Sequence, residues 1–583
     1  MNLKTSKRKN GRTYLSIEKG YRDPVTKKSR NKTIKSIGWL DELKKEYSDP
    51  IEHFKEIARQ MSEDEHARRK VQIEIDLEEN ITEGVNNIKN FGYAVPMKVY
   101  HELGIDEFLK AKMIREKFDF NTNSIMILLV MSRILYPGSK KKAFDERDRF
   151  FERFDFTLDD VYRALTHFDK ISEDLQRFIH GRVRERYGSD TSIVYYDVTN
   201  YYFEITKPDE LRKYTKNAKQ KRAKPVVQMG LAMDKDGMPI HYELFPGNKL
   251  DKETFRSVIG DVRKTYDIGR IIVVADMGII TGDNIYYLVG SKPEKPRNGY
   301  VFSFSIRGGT DELKKYVLDQ SGYTYKEADM ETGDPTFIRK SRFVRREINV
   351  TMLSGRKQKT QHVYEKQVVF WSYKYFRKAR AERAEMIAKA EKLIADPKKH
   401  TKATSYGAAA YVENLEFDKE TGEILETKGK ALALNKDKIL EEEKYDGYYA
   451  IVTSEIDMSD GEIVDTYRGL WEIEETFKIT KSDLEARPVY VSDYDHIDAH
   501  FLTCFISLLI LRIIQKKTDK KYSAHNIVEN LKNIMCMNEH ENIYMFAHRT
   551  EITNALGEVF GIDLTKKRLR LADIKKILGD VKK

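Results

Sequence analysis

The spacing of apolar positions changes along the chain, and each change predicts a different kind of element. Between residues 13 and 40, short alternating runs (TYLSIEKGY, KTIKSIGWL) flank the turn-like RDPVTKKS and predict strands. A polar, helix-favouring stretch follows to about residue 70. At 71–77, Val71, Ile73, Ile75 and Leu77 alternate with Gln72, Glu74 and Asp76, the pattern of a strand with one buried face. From about 93 to 188 the period is helical, with apolar clusters at HELGIDEFL, NSIMILLVMSRIL, FTLDDVYRALTHF and EDLQRFIHGRV, interrupted at Pro137-Gly138.

At residue 190 the texture becomes β-rich. SIVYYDVTNYYFEI is a strand by composition, and KPVVQMGLAM-DKDG-MPIHYELF reads as a hairpin around an Asp-Gly turn. The helix KETFRSVIGDVRKTY, the strand RIIVVADMGI, the capped helix TGDNIYYLVG and the strand YVFSFSI complete a mixed α/β sheet. It has an antiparallel start and a later right-handed crossover. Residues 308–445 read as an α+β insertion: basic alternating runs, the charged helix RKARAERAEMIAKAEKLIAD, and polar strands with turn signals. The buried texture returns at GYYAIVTSE, and a helical region runs from near Ser459 to about Leu484. The chain beyond 497 is expected to be helical. The expected division is a basic β/helical arm at 1–80, a helical and DNA-binding region at 81–189, and a core at 190–307 and 446–515. The insertion at 308–445 splits that core, and a helical C-terminal region occupies 516–583.

Charge adds the first hint of a partner. The formal net charge is +11. Residues 1–40 hold twelve Lys and Arg against Glu18 and Asp23, so nearly all of the excess sits in the arm. A basic arm of this kind meets a polyanion, with nucleic acid first in line, or is a solvated tail. A second basic segment, 207–224, carries Lys213, Lys216, Lys219, Lys221 and Arg222, where phosphates could approach the first core strand. Two cysteines, Cys504 and Cys536, cannot build a zinc-thiolate cluster and fit a reducing compartment. No apolar segment follows the positive start as in a secretion signal, and Phe501–Leu511 is too short to span a bilayer. A soluble cytoplasmic protein without membrane contact is expected.

Acidic residues in unfavourable places carry the chemistry. Asp is disfavoured in strands and costly to bury unless paired or metal-bound. Yet Asp197 sits among aromatics in SIVYYDVTNYYF, and Asp276 ends RIIVVADMG. A carboxylate at the carboxyl end of a buried strand is where α/β proteins place chemistry, although such an Asp can also simply cap a turn. In the helix after the insertion, YRGLWEIEETFKITK, a continuous helix at about 100° per residue puts Tyr467, Lys478 and Lys481 within roughly 40° of Glu474. That stripe is either a functional face or a set of surface salt bridges. His496 and His500 form a possible metal pair that fits structural or DNA-backbone contacts better. Trp371 could stack on a base, with sheet packing the more economical role.

The ordered set of these motifs resembles the DDE transposases of bacterial insertion sequences, in the superfamily with a Tyr/Arg/Glu/Lys signature. Tyr467, Glu474 and Lys481 match that signature, and Leu470 occupies the Arg position. Asp197 in YYDVTNYYFE and Asp276 in VVADMG match the first two acids. GLAMDKDGMPIHYELFPGN is similar to the hairpin between them. The resemblance covers roughly 190–515 and implies a ribonuclease-H-like sheet interrupted by a β-rich insertion. It implies that Asp197, Asp276 and Glu474 are catalytic and hold two Mg²⁺ (or Mn²⁺) ions. It implies double-stranded DNA as partner, at transposon ends and target, with Tyr467 and Lys481 on that DNA and a homodimer in the DNA-bound complex; Lys478, on the same helix stripe, is expected to join them. The implied reaction is cleavage at the ends followed by attack of the 3′-hydroxyl on target DNA. The rival readings are a structure-specific nuclease on the same fold and a catalytically silent DNA-binding derivative.

Overall fold

The computed structural model describes the chain except residues 9–10, 23–28, 68–77, 79, 81–82, 84–86, 206, 216–223, 267–268, 291–296, 352–357, 402–404, 406, 418–422 and 426–430. The expected strand at 71–77 and the basic residues Lys216, Lys219, Lys221 and Arg222 therefore lie outside the described residues.

Two units make up the chain, Met1–Val85 and Asn86–Lys583. In the first, β1 (Asn2–Lys7), β2 (Thr13–Arg22) and β3 (Ser29–Trp39) form an antiparallel sheet in that order, followed by α1 (Pro50–Ala67). Leu15 and Ile17 of β2 are fully buried, as their alternation with polar neighbours requires. The guanidinium of Arg12 lies 4.6 Å from the centre of the Trp39 ring and pairs with Asp41 and Glu42.

In the second unit, α2 (Ala94–Glu102), α3 (Ile105–Glu116), α4 (Thr122–Leu135), α5 (Leu158–Lys170) and α6 (Ser172–Tyr187) precede the main sheet. Its strands are β4 (Ile193–Tyr202), β5 (Val226–Met233), β6 (Pro239–Pro246), β7 (Ile272–Ala275) and β8 (Gly299–Phe304). The insertion then contributes β9 (Tyr325–Ala328), β10 (Pro335–Thr351) and β11 (Gln358–Ser372), and β12 (Tyr448–Thr453) completes the sheet. The spatial order is β9-β10-β11-β12-β8-β7-β4-β5-β6. Only the β4–β7 and β7–β8 pairings are parallel. The β5–β6 hairpin turns at Gly237, whose φ of +83° suits a residue without a Cβ. Every residue of β5 is buried, because helices cover both faces of this part of the sheet.

On one face lie α7 (Asp251–Thr265) and α8 (Gly282–Val289). On the other lie α10 (Asp460–Arg468), α11 (Trp471–Ser482) and α12 (Tyr494–Lys517), with α9 (Tyr373–Ala395) belonging to the insertion. Helix α12 is long and apolar enough to cross a membrane by length and composition, but 94% of its apolar window is buried inside the protein. It forms the spine of the core shared by α2, α4, α5 and β6.

The structure departs from the sequence pattern in two places. The long strands β10 and β11 of the insertion extend the central sheet through β12, and the insertion adds small satellite cores, one around Leu313, Val317 and Val369 and one under α9. The C-terminal region is not wholly helical: Met535–His540, Ile543–Phe546 and Arg568–Arg570 pair with Ile88–Asn90 in a four-stranded sheet. Those strands are only three to six residues long, too short for their period to stand out from the helices around them.

Candidate active site

Asp197 lies on β4 just beyond its last parallel pairing with β7, Tyr195 to Val274. There β7 ends at Ala275, and Asp276 caps the short turn that follows. The two carboxylates therefore emerge side by side where the sheet opens. Asp276 Oδ1 accepts hydrogen bonds from Ser303 Oγ at 2.5 Å and from its neighbour's amide, Met277 N, at 2.7 Å. Asp197 Oδ1 accepts from Val198 N at 2.7 Å.

The third carboxylate comes from α11. The helical region expected over 459–484 is built from two helices: α10 ends at Arg468 and α11 begins at Trp471. Gly469 sits at the break because a Cβ there would come within 1.9 Å of the Tyr195 hydroxyl, which donates to Thr466 O. Leu470, which occupies the Arg position of the signature, is buried in the core. Arg468 points away, with its guanidinium 5.0 Å from the Phe337 ring centre and beside Asp465.

Three acids start α11, and their surroundings separate them. Glu472 is buried against Arg512 and Lys520, and Glu475 pairs with Arg512. Glu474 is exposed and has no hydrogen-bond or ion-pair partner among the described residues. Its charge reaches Asp197: burial pushes the Asp197 carboxyl up to about 7, with Asp276, Asp251 and Glu474 adding to the rise. The site thus concentrates negative charge, and Glu474 has no ion-pair partner among the described residues.

Tyr467 reaches the same place from α10. Its hydroxyl adjoins Ser303 and Tyr449, and burial holds its pKa well above the usual phenol range. Lys481, two turns beyond Glu474, donates to Thr199 Oγ1 of β4. Burial lowers Lys481 to about 8, helped by Arg487 and opposed by Asp197. Lys478 is exposed on the same helix. Lys213 bridges to Val226 through its backbone, at the foot of the basic segment.

Sequence reasoning missed three contributors. Asp251 opens α7, and its carboxylate would lie 3.9 Å from a Cβ at Gly278, in the turn that Asp276 caps. Ser303 fixes Asp276. Arg487 lies 5.1 Å from the Tyr202 ring centre and acts on Lys481. Asp251 alone carried a signal, as the acid after the hairpin in PGNKLD. The other candidates are structural. His500 is buried between Lys140 and the Ala486 carbonyl, and His496 sits beside Thr166, so they do not converge as a metal pair. Trp371 donates to the Asp446 carbonyl and packs in the sheet.

Comparison with known proteins decides the family. Residues 189–510, more than half of the chain, match the family described as the transposase DDE domain, and residues 3–72 match the IS1634 family transposase N-terminal domain. The chain belongs to the DDE transposases. The matched span brackets all three acids of this transposase. Among curated proteins none matches the chain. A solved structure, the Mos1 transposase paired-end complex with left transposon end, aligns over 40% of the transposase at 11% identity and a TM-score of 0.11. That alignment covers 62% of the Mos1 chain, less than two thirds of its length.

Proposed function

We propose that this transposase cleaves DNA at transposon ends and joins the freed 3′-hydroxyl to target DNA, with Asp197, Asp276 and Glu474 holding two Mg²⁺ (or Mn²⁺) ions. The observation that carries the proposal is the unneutralised Glu474. Its neighbours Glu472 and Glu475 are tied to cations, while Glu474 has no ion-pair partner among the described residues and its charge acts on Asp197.

The donor set fits hard cations, since it consists of carboxylate oxygens without His or Cys. When bound, such ions supply Lewis acidity for activating the attacking oxygen and stabilising the leaving one. The residues of the chain do the rest. The bond from Ser303 and the Met277 amide fix the rotamer of Asp276, so one carboxylate is oriented before DNA arrives. Asp197 must lose its proton to act as a ligand, which couples loading to pH near neutrality. Lys481, held against Thr199, offers a partly desolvated ammonium to the DNA phosphate nearest the reacting one. Tyr467 lines the same wall, and Lys478, Lys213 and the basic segment through Lys216, Lys219, Lys221 and Arg222 contact flanking phosphates.

The helical region before the sheet and the basic arm hold double-stranded DNA. Two copies of the chain act together on paired ends, and the protein works in the cytoplasm. The test uses full-length protein, Mg²⁺ and DNA fragments bearing the inverted repeats that bracket its gene. Cleavage at the ends with joined products is expected. Cleavage without joining would favour a nuclease, and binding alone would favour a silent derivative.

A further inference from the structure

Among the described residues, the group whose ligand atoms all lie within 4.8 Å of one another is not the catalytic trio but His241, Glu243 and Asp261. His241 and Glu243 are two apart on β6, so their side chains leave the same face of the strand. That face meets α7, whose Ser257 and Asp261 stand one turn apart. Ser257 Oγ donates to Glu243 Oε1 at 2.8 Å, leaving Oε2 buried without a partner.

His241 provides the second, independent observation. The residue is 6% exposed. Its Nδ1 lies 3.2 Å from the Tyr266 hydroxyl, whereas Nε2 is buried with no hydrogen-bond partner. An orphaned ring nitrogen of this kind costs free energy unless something takes its lone pair. Burial lowers the imidazole pKa to about 4, so the ring is neutral at physiological pH and available as a ligand. The Tyr266 contact orients the ring as an outer partner does for metal-bound histidine. Beside the three groups lies a cavity of about 410 Å³, bordered by His241, Asp261, Glu173, Arg177, Lys264 and Tyr266. Solvent ions can enter there.

We propose that His241, Glu243 and Asp261 form a structural site for a borderline divalent ion such as Zn²⁺, clipping α7 to the edge strand β6. One imidazole and two carboxylates suit such an ion better than Mg²⁺, which prefers oxygen ligands alone. The site is separate from the catalytic acids: Asp261 and Asp251 stand ten residues apart on α7, about 15 Å along the helix. The ion would anchor the far end of the helix that carries Asp251 to the active site.

The test is Zn²⁺ titration of full-length protein in which Asp197→Asn and Asp276→Asn remove the catalytic carboxylates, read by calorimetry and thermal unfolding. One equivalent of Zn²⁺ is expected to bind and to raise the unfolding temperature, because the ion binds the folded state alone. Adding Asp261→Asn, at an exposed position that does not threaten folding, should weaken that equivalent by at least about tenfold and remove the thermal shift. His241→Gln should do the same. Unchanged stoichiometry and shift in both variants would overturn the proposal. So would the absence of binding in the parent protein, which would mean that Arg177 or Lys264 neutralises the carboxylates instead.

Discussion

Glu472 and Glu474 stand two residues apart on α11 and meet opposite fates: Glu472 is buried between Arg512 and Lys520, whereas Glu474 is exposed, has no ion-pair partner among the described residues and adds its charge to the field at Asp197. The two positions should therefore separate folding from chemistry. Glu474→Gln should abolish cleavage and joining while leaving thermal stability and DNA binding near those of the natural protein. Glu472→Ala removes one of the two carboxylates beside buried Arg512, Glu475 being the other, and should cost about 1–3 kcal/mol of stability, measured by denaturant unfolding. The reverse pattern would exchange the roles of the two residues.

Asp197 makes stability depend on pH in a stated direction. Its folded pKa of about 7 lies above the ordinary 3.8, so the folded state favours the protonated form. The stability contributed by that proton is fully present below pH 4 and is lost as pH rises through 7. Metal-free Asp197→Asn should thus be more stable than the natural protein at pH 8, by at most about 4 kcal/mol, with the difference vanishing near pH 4. Equal melting temperatures across that range would show that Asp197 is already ionised by compensation elsewhere.

Ser303 holds Asp276 and should act through it. Ser303→Ala should weaken divalent-ion affinity by about 10–100-fold, as loss of an outer partner does, and more ion should restore the rate. If saturating ion restores nothing, Ser303 does more than orient the carboxylate.

The basic arm belongs to its own unit, so its removal can be tested without cutting into the catalytic sheet. Deleting residues 1–40 should lower the slope of log affinity against log salt by about 0.9 for each phosphate that the arm neutralises. An unchanged slope would make the arm a solvated tail.

Much of this architecture is legible along the chain. Asp276 stands out because five apolar residues lead to it, and the structure ends β7 immediately before it. The Asp-Gly turn and the strands around it follow from local chemistry. What stayed hidden depends on distant neighbours. No local period reveals that Tyr195 needs the space at Gly469, where a Cβ would meet its hydroxyl. Ser303 is an ordinary strand serine until β8 pairs with β7 and sets it beside Asp276. Arg487 lies outside the signature by spacing, and the fold alone brings its charge to Lys481.

The central claim is that Asp197, Asp276 and Glu474 hold the ions that drive phosphoryl transfer, and the most direct measurement is metal rescue. Asp276→Cys replaces a hard oxygen ligand with a soft thiolate. With DNA carrying the transposon ends, the variant should be inactive in Mg²⁺ and should regain cleavage in Mn²⁺, which accepts sulfur more readily. Natural rates for the variant in Mg²⁺ would contradict the account, because Asp276 would then not be a ligand at all.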